Sequence, residues 1–241
     1  MLLTAPLLEV PHGFTTREGG VSQGPYATLN LSASTGDAAE AVLENQRRVL
    51  QRFGDPPVAA LDQVHGSTVH AVEGPGVRTG DGLLTGVPGL LLRVGVADCY
   101  AVLLHDPVRQ VVGALHAGWR GTVAGILPAA LERMQARYGS RPQDVRVALG
   151  PGAGPGFQVG PEVAEQFARA GLECFHPDPI TPGRFRLDLV AALRQQALHA
   201  GILPEHFWAS GADTLHDERF FSHRRDRGRT GRMWGLILLP R

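Results

Sequence analysis

Cysteine is scarce: the 241-residue chain holds two, Cys99 and Cys174, too few for a disulfide framework. No charge of one sign prevails, since Lys+Arg and Asp+Glu both number 23, and this balance argues against steering onto nucleic acid or an anionic membrane. A small molecule is the expected partner. Long apolar runs are missing as well. The longest, Gly89 to Ala97, is interrupted by Arg93 and falls far short of the roughly 20 residues that cross a bilayer. The opening MLLTAPLLEV lacks the basic start and the longer apolar stretch of a signal peptide, so the cytoplasm is the expected compartment. Aromatics make up 6%, which makes Phe14 and Trp119, both inside loop motifs, stand out as candidate platforms for a flat base, with core packing as the alternative.

What is present is glycine and proline, 31 and 18 residues, which imply long shaped loops. Asp37 followed by Glu40 reads as a helix-capping arrangement, after which Val42, Gln46, Val49, Leu50 and Phe53 share one face until Gly54. A second helix is predicted over about Thr122 to Tyr138 with Gly139 as terminator, a short third between Pro161 and Gly171, and a fourth capped by Asp188. The segments 90–97, 101–105, 111–116, 145–150 and 236–239 read as short buried strands. Helices and strands alternate only loosely, so the expected fold is α+β, one domain over 1–241, with a mixed sheet flanked by helices.

Chemistry is expected where strands end, because the strand fixes the backbone while the following loop faces a cleft. His65 follows PVAALDQV, Cys99 follows LLLRVGVAD, and His116 ends VVGAL. A thiolate with two imidazoles is a zinc-type donor set, and three protein ligands leave a fourth position open. The spacings of 34 and 17 residues are not those of a zinc finger. They leave a rival open, in which Cys99 is a nucleophile deprotonated by His116. Cys174 reads as a buried hydrophobe.

Arginines form a second constellation: Arg17 in HGFTTREGG, Arg120 in HAGWRG, and Arg224, Arg225, Arg227, Arg229 and Arg232 in FFSHRRDRGRTGR. Planar guanidinium donors suit phosphate oxygens. The apolar flanks of the last run anchor it and point some of its arginines inward; Arg120 and Arg225 are the substrate-binding candidates. GPGAGPGFQVG at 150–160 lacks both the Lys-Ser/Thr end of a Walker loop and the spacing of a dinucleotide fingerprint. Asp81, between glycines in TGDGLLT, either accepts a hydrogen bond from a ribose hydroxyl or closes a turn.

The ordered segments HGFTTREGGVSQGPYATLNLS, GDAAEAVLENQRRVL, QVHGSTV, GDGLLT, VADC, HAGWRGTVAGI, GPGAGPGFQVGPEV, DLVAAL and FFSHRRDRGRTGRM resemble the signature of the YfiH-type proteins from about Pro11 to the C-terminus. Members of that family have been described as laccase-domain or polyphenol oxidases, purine nucleoside phosphorylases and peptidoglycan editing factors. The resemblance implies an α/β/β/α sandwich and one zinc ion held by His65, Cys99 and His116. It also implies phosphorolysis of adenosine, inosine and methylthioadenosine, with adenosine deamination beside it. It carries Arg17 and Asp81 over as active-site residues. Copper oxidation ranks low, because 10 His and three Met scattered along the chain outline one metal cluster where a multicopper oxidase needs several. Hydrolysis of a cell-wall precursor by Cys99 and His116 is the alternative. Departures from the family pattern are Tyr100 and Ala101 after the thiol, His223 in place of a usual Tyr, and Asp213-Thr214 where Cys-Thr is common. They bear on substrate preference and leave the three donors in place. Oligomeric state is not legible.

Overall fold

Two six-stranded mixed sheets stack face to face in the computed structural model, which describes residues 2–241. The first runs Leu2–Leu3, His12–Thr15, Met233–Leu238, Leu91–Val96, Val58–Asp62, Gly76–Thr79. The second runs Phe207–Ala209, Arg146–Leu149, Tyr100–Asp106, Val111–Ala117, Gly82–Thr85, Val69–Ala71. Each combines antiparallel and parallel neighbours, as in Leu91–Val96, which pairs antiparallel with Met233–Leu238 and parallel with Val58–Asp62.

The layering follows from strands that are apolar on both faces. In the first sheet Leu92, Val94 and Val96 point at the second, where Ala101, Leu103, Val112 and Ala114 meet them. Close approach needs small residues: a Cβ on Gly235 would lie 2.5 Å from that of Ala101. On the outer face of the second sheet, Val102, Leu104, Leu115 and Val147 pack against helices α3 (Ile126–Tyr138), α4 (Pro161–Arg169) and α5 (Leu189–His199). On the outer face of the first, Leu91, Trp234 and Leu236 are covered by Leu29, Leu31 and α1 (Ala39–Gln51). The result is the α/β/β/α order that the resemblance implies.

Five predicted strands are present with their edges moved by one to three residues. Asp188 caps α5 by accepting a hydrogen bond from Ala191 N at 3.0 Å. Two helix expectations need correction. The predicted second helix is broken in two, α2 (Trp119–Val123) and α3, because Gly125 adopts a left-handed φ of 79°. Asp37 does not cap α1: its carboxylate accepts from Asn30 Nδ2 at 2.9 Å and from the adjacent Ala38 N, leaving Ala38 as an N-cap without a side-chain bond. A small third sheet, Phe157–Val159, Phe185–Leu187 and Phe175–Pro177, was not foreseen. Among the described residues no helix is long and apolar enough to cross a membrane.

Candidate active site

The three expected donors converge at one end of the two stacked sheets, at or just beyond strand ends. His65 comes three residues after Val58–Asp62, and Cys99 three residues after Leu91–Val96, both in the first sheet; His116 belongs to Val111–Ala117 in the second. Their ligand atoms all lie within 4.8 Å of one another, and the two imidazoles meet edge to face with centroids 4.7 Å apart. His65 is exposed, Cys99 half-buried and His116 buried, so the group opens on one side.

Asp81 holds this arrangement from behind. It is fully buried, between Gly80 and the strand Gly82–Thr85. Its Oδ1 faces His116 Nδ1 at 2.8 Å and accepts from His65 N at 3.0 Å; its Oδ2 accepts from Gly66 N at 2.7 Å and Val64 N at 3.3 Å. A carboxylate here only accepts, so His116 Nδ1 carries the proton and Nε2 is left for the cluster. The three backbone bonds also stabilise the left-handed turn at His65, φ 61°, that aims its ring inward. Asp81 is therefore neither a free ribose acceptor nor a plain turn residue, because its oxygens are taken up in orienting two of the donors.

Burial works against charge here and is outweighed. Burial pushes the Cys99 thiol up, but the neighbouring charge of His116 and hydrogen bonds from both histidines bring it well below the ordinary thiol range. Burial lowers His116, yet the Cys99 and Asp81 charges raise it above the ordinary imidazole value. Asp81 is raised by burial and held below the usual carboxylate range by His116 and by the Gly66 and His65 amides. Gly118 is required at the site, since a Cβ there would stand 2.7 Å from Cys99 Sγ. Cys174 is the contrast: buried beside Asp188, its thiol is pushed up to about 12. In chelator-treated protein near neutral pH, iodoacetamide should therefore alkylate Cys99 and spare Cys174, as peptide mass mapping would read; equal labelling would contradict the thiolate assignment.

The donors lie in a cleft of about 720 Å³. Arg93, Arg120, Arg224 and Arg232 line it, and none of the four forms an ion pair among the described residues. Three of them lie over aromatic rings at 4.4 Å: Arg93 on Trp234, Arg120 on Trp119, Arg224 on Phe157. A chain without net charge thus concentrates positive charge in one place. Asp98, φ 81°, shapes the floor by accepting from Thr214 Oγ1 and Arg224 N, each at 2.7 Å.

Other candidates fall elsewhere. Arg225 is not in the cleft wall: its guanidinium donates to the carbonyls of Thr214 and Phe220 and pairs with Asp226, so it braces its own loop. Arg17 donates to Ala27 O at 2.6 Å, stacks on Phe221 and also lies outside the lining. Phe14 is core, 2% exposed, under Gly150. The glycines of 150–154 serve packing, for a Cβ on Gly150, Gly152 or Gly154 would clash with Phe14, Tyr100 or Asp213. Tyr100, a departure from the family pattern, donates from its hydroxyl to Ala153 O at 2.8 Å. Arg93, Gln63 and Asp98 were missed; Arg93 left a signal, a charge inside the longest apolar run.

Residues 11–240 match the family described as multi-copper polyphenol oxidoreductase laccase. The chain belongs to this family. It is 46% identical to a purine nucleoside phosphorylase of Deinococcus radiodurans over 100% of this chain and 93% of that protein. It is 37% identical to purine nucleoside phosphorylase YlmD of Geobacillus stearothermophilus, over 93% and 88% of the two chains. The crystal structure of YlmD from that organism superposes with a TM-score of 0.90 at 35% identity, covering 98% of this chain and 94% of that one. That of the Bacillus licheniformis protein YfiH gives 0.88, also at 35%, covering 96% and 93%. The laccase-domain fold brings together one group of three or more candidate metal donors here, His65, Cys99 and His116, among the described residues.

Proposed function

We propose that the protein is a zinc-dependent purine nucleoside phosphorylase, acting on adenosine, inosine and methylthioadenosine, with adenosine deamination as a second activity of the same cleft. The observation that carries this is the open His65–Cys99–His116 group, backed by Asp81, at the head of a cleft walled by unpaired arginines. The donor set fits zinc: one thiolate and two imidazoles, with the outer nitrogen of His116 tied to a carboxylate. When bound, zinc supplies Lewis acidity at the open position. The purine nucleoside phosphorylases among its relatives support the substrate class.

In phosphorolysis a phosphate oxygen bonds to the anomeric carbon as the bond to the purine nitrogen breaks. The bonding pair leaves on the purine, which takes the proton of the hydrogen phosphate. The arginines of the cleft hold the phosphate and oppose its charge. The flat faces of Trp119 with Arg120, and of Phe157 with Arg224, offer stacking for the base. His116, held by Asp81, and His65, held by its turn, keep the donor ring fixed while substrate enters.

The paired thiolate and imidazolium would equally serve a Cys99–His116 hydrolase acting on a cell-wall precursor. The third donor, His65, favours the metal. Zinc-loaded protein given adenosine and phosphate should yield adenine and ribose 1-phosphate, and inosine when phosphate is omitted. No turnover of adenosine, inosine or methylthioadenosine would defeat the proposal, full nucleoside turnover after chelation would defeat the zinc dependence, and cleavage of a wall precursor in place of nucleosides would favour the hydrolase.

A further inference from the structure

Arg93 is the least explained charge in the molecule. It lies mid-strand in Leu91–Val96, on the outer face of the first sheet with Leu91. It is half-buried, and burial alone pushes its pKa down. Among the described residues it has no ion pair and donates no hydrogen bond, yet it lines the cleft, so its donors face that space. A partly desolvated cation without an acceptor is costly, and a strand interior rarely keeps one without an anion to meet it.

Its surroundings favour such an anion. The guanidinium lies over the Trp234 ring at 4.4 Å, and stacking covers one face while leaving all five in-plane N–H groups free. Arg232 enters the same cleft nearer the donors, since the register that pairs Met233 with Val96 and Leu236 with Arg93 brings it beside Ala97, with one nitrogen bound to the carbonyls of Thr230 and Gly231. Gln63 is bound to both N and O of Gly95, two residues along from Arg93, which fixes the neighbouring wall. The turn of Ser32 and Ser34, whose hydroxyls bond to each other, lines the space from the α1 side. The 23 Lys and Arg positions of the chain are all arginine, so a phosphate site that uses one of them is met by a guanidinium fork.

We propose that Arg93, backed by Trp234, is a phosphate-binding subsite of the cleft, apart from the donor ring. It takes a phosphoryl group from one of two sources: inorganic phosphate, or the phosphate ester of a nucleotide. Arg93 lies mid-strand in Leu91–Val96 and Cys99 three residues beyond the strand's end, so the subsite and the donors engage different parts of one bound assembly. The subsite rests on the nucleoside reading for its biological sense, but its binding chemistry is independent of it.

Calorimetric titration of inorganic phosphate, and separately of adenosine 5′-monophosphate, into zinc-loaded protein tests this directly. In Arg93→Met, which keeps an apolar stem over Trp234, the affinity of the bound probe should fall about tenfold or more. A fall for inorganic phosphate identifies the free ion as the ligand; a fall for the nucleotide alone identifies the ester. Arg137→Ala, a surface charge change on α3, should leave both unchanged. Melting of Arg93→Met should drop little, because the apolar stem still covers Trp234 and only the cation over that ring is lost; should that variant fail to fold, Arg93→Lys, which keeps charge without the fork, is expected to weaken the probe in the same direction. Absence of binding by both probes to the unmodified protein, affinities within about twofold in the Arg93 variants, or an equal loss in Arg137→Ala would overturn the subsite. Because the readout is binding, Arg93-dependent phosphate affinity without nucleoside cleavage would sink the proposed reaction and leave the subsite standing.

Discussion

Cys99→Ala should abolish nucleoside phosphorolysis and deamination, with turnover falling about a thousandfold or more, while the protein remains folded. Cys99 supplies the soft donor of the group, and its loss leaves two imidazoles held for a metal that they bind weakly alone. Zinc per chain, measured on protein purified without chelator, should drop from about one to a small fraction. The side chain is half-buried at the cleft, so deleting its sulfur opens no sealed cavity and should cost about 1 kcal/mol or less in stability. Full turnover on adenosine by Cys99→Ala would defeat the assignment. Loss of turnover with no change on chelation of the unmodified protein would instead favour the thiol nucleophile.

A comparable effect is expected at Asp81, through a different cause. The carboxylate accepts from three backbone amides and His116 in full burial. Asp81→Ala orphans all four donors, and a loss of about 3–5 kcal/mol is expected, seen as a lower melting temperature. Asp81→Asn keeps the size but removes the charge and turns an acceptor into a donor that faces other donors. Its zinc affinity, read by chelator competition, should fall about 10–100-fold, with turnover following. Unchanged zinc affinity in Asp81→Asn would show that His116 needs no carboxylate behind it.

Legibility followed local chemistry and stopped where tertiary contacts decided. Strands such as 111–116 were readable because a strand buried on both faces must be apolar throughout, and strand-end logic then brought His65, Cys99 and His116 together. The break at Gly125 was not, because a glycine inside a helical period is compatible with continuation until the chain must turn over the sheet. Asp37 looked like a cap because the pattern cannot reveal that Asn30 competes for its carboxylate. Among the arginines, the dense run at 224–232 drew attention to Arg225, yet its partners are carbonyls of its own loop, which only the fold reveals. Arg93 stood alone in an apolar segment, and that isolation was the stronger signal.

The place of Met233–Leu238 has a bearing on synthesis. It separates His12–Thr15 from Leu91–Val96, two strands that come early in the sequence, and brings Trp234 to the cleft, with Arg232 just before it. Every donor side chain has left the ribosome long before this strand does, but the sheet that carries two of them is incomplete until it arrives. The sheet therefore has an apolar edge and the cleft lacks part of its wall until Met233–Leu238 joins its two neighbours, so the site matures only after this strand is made.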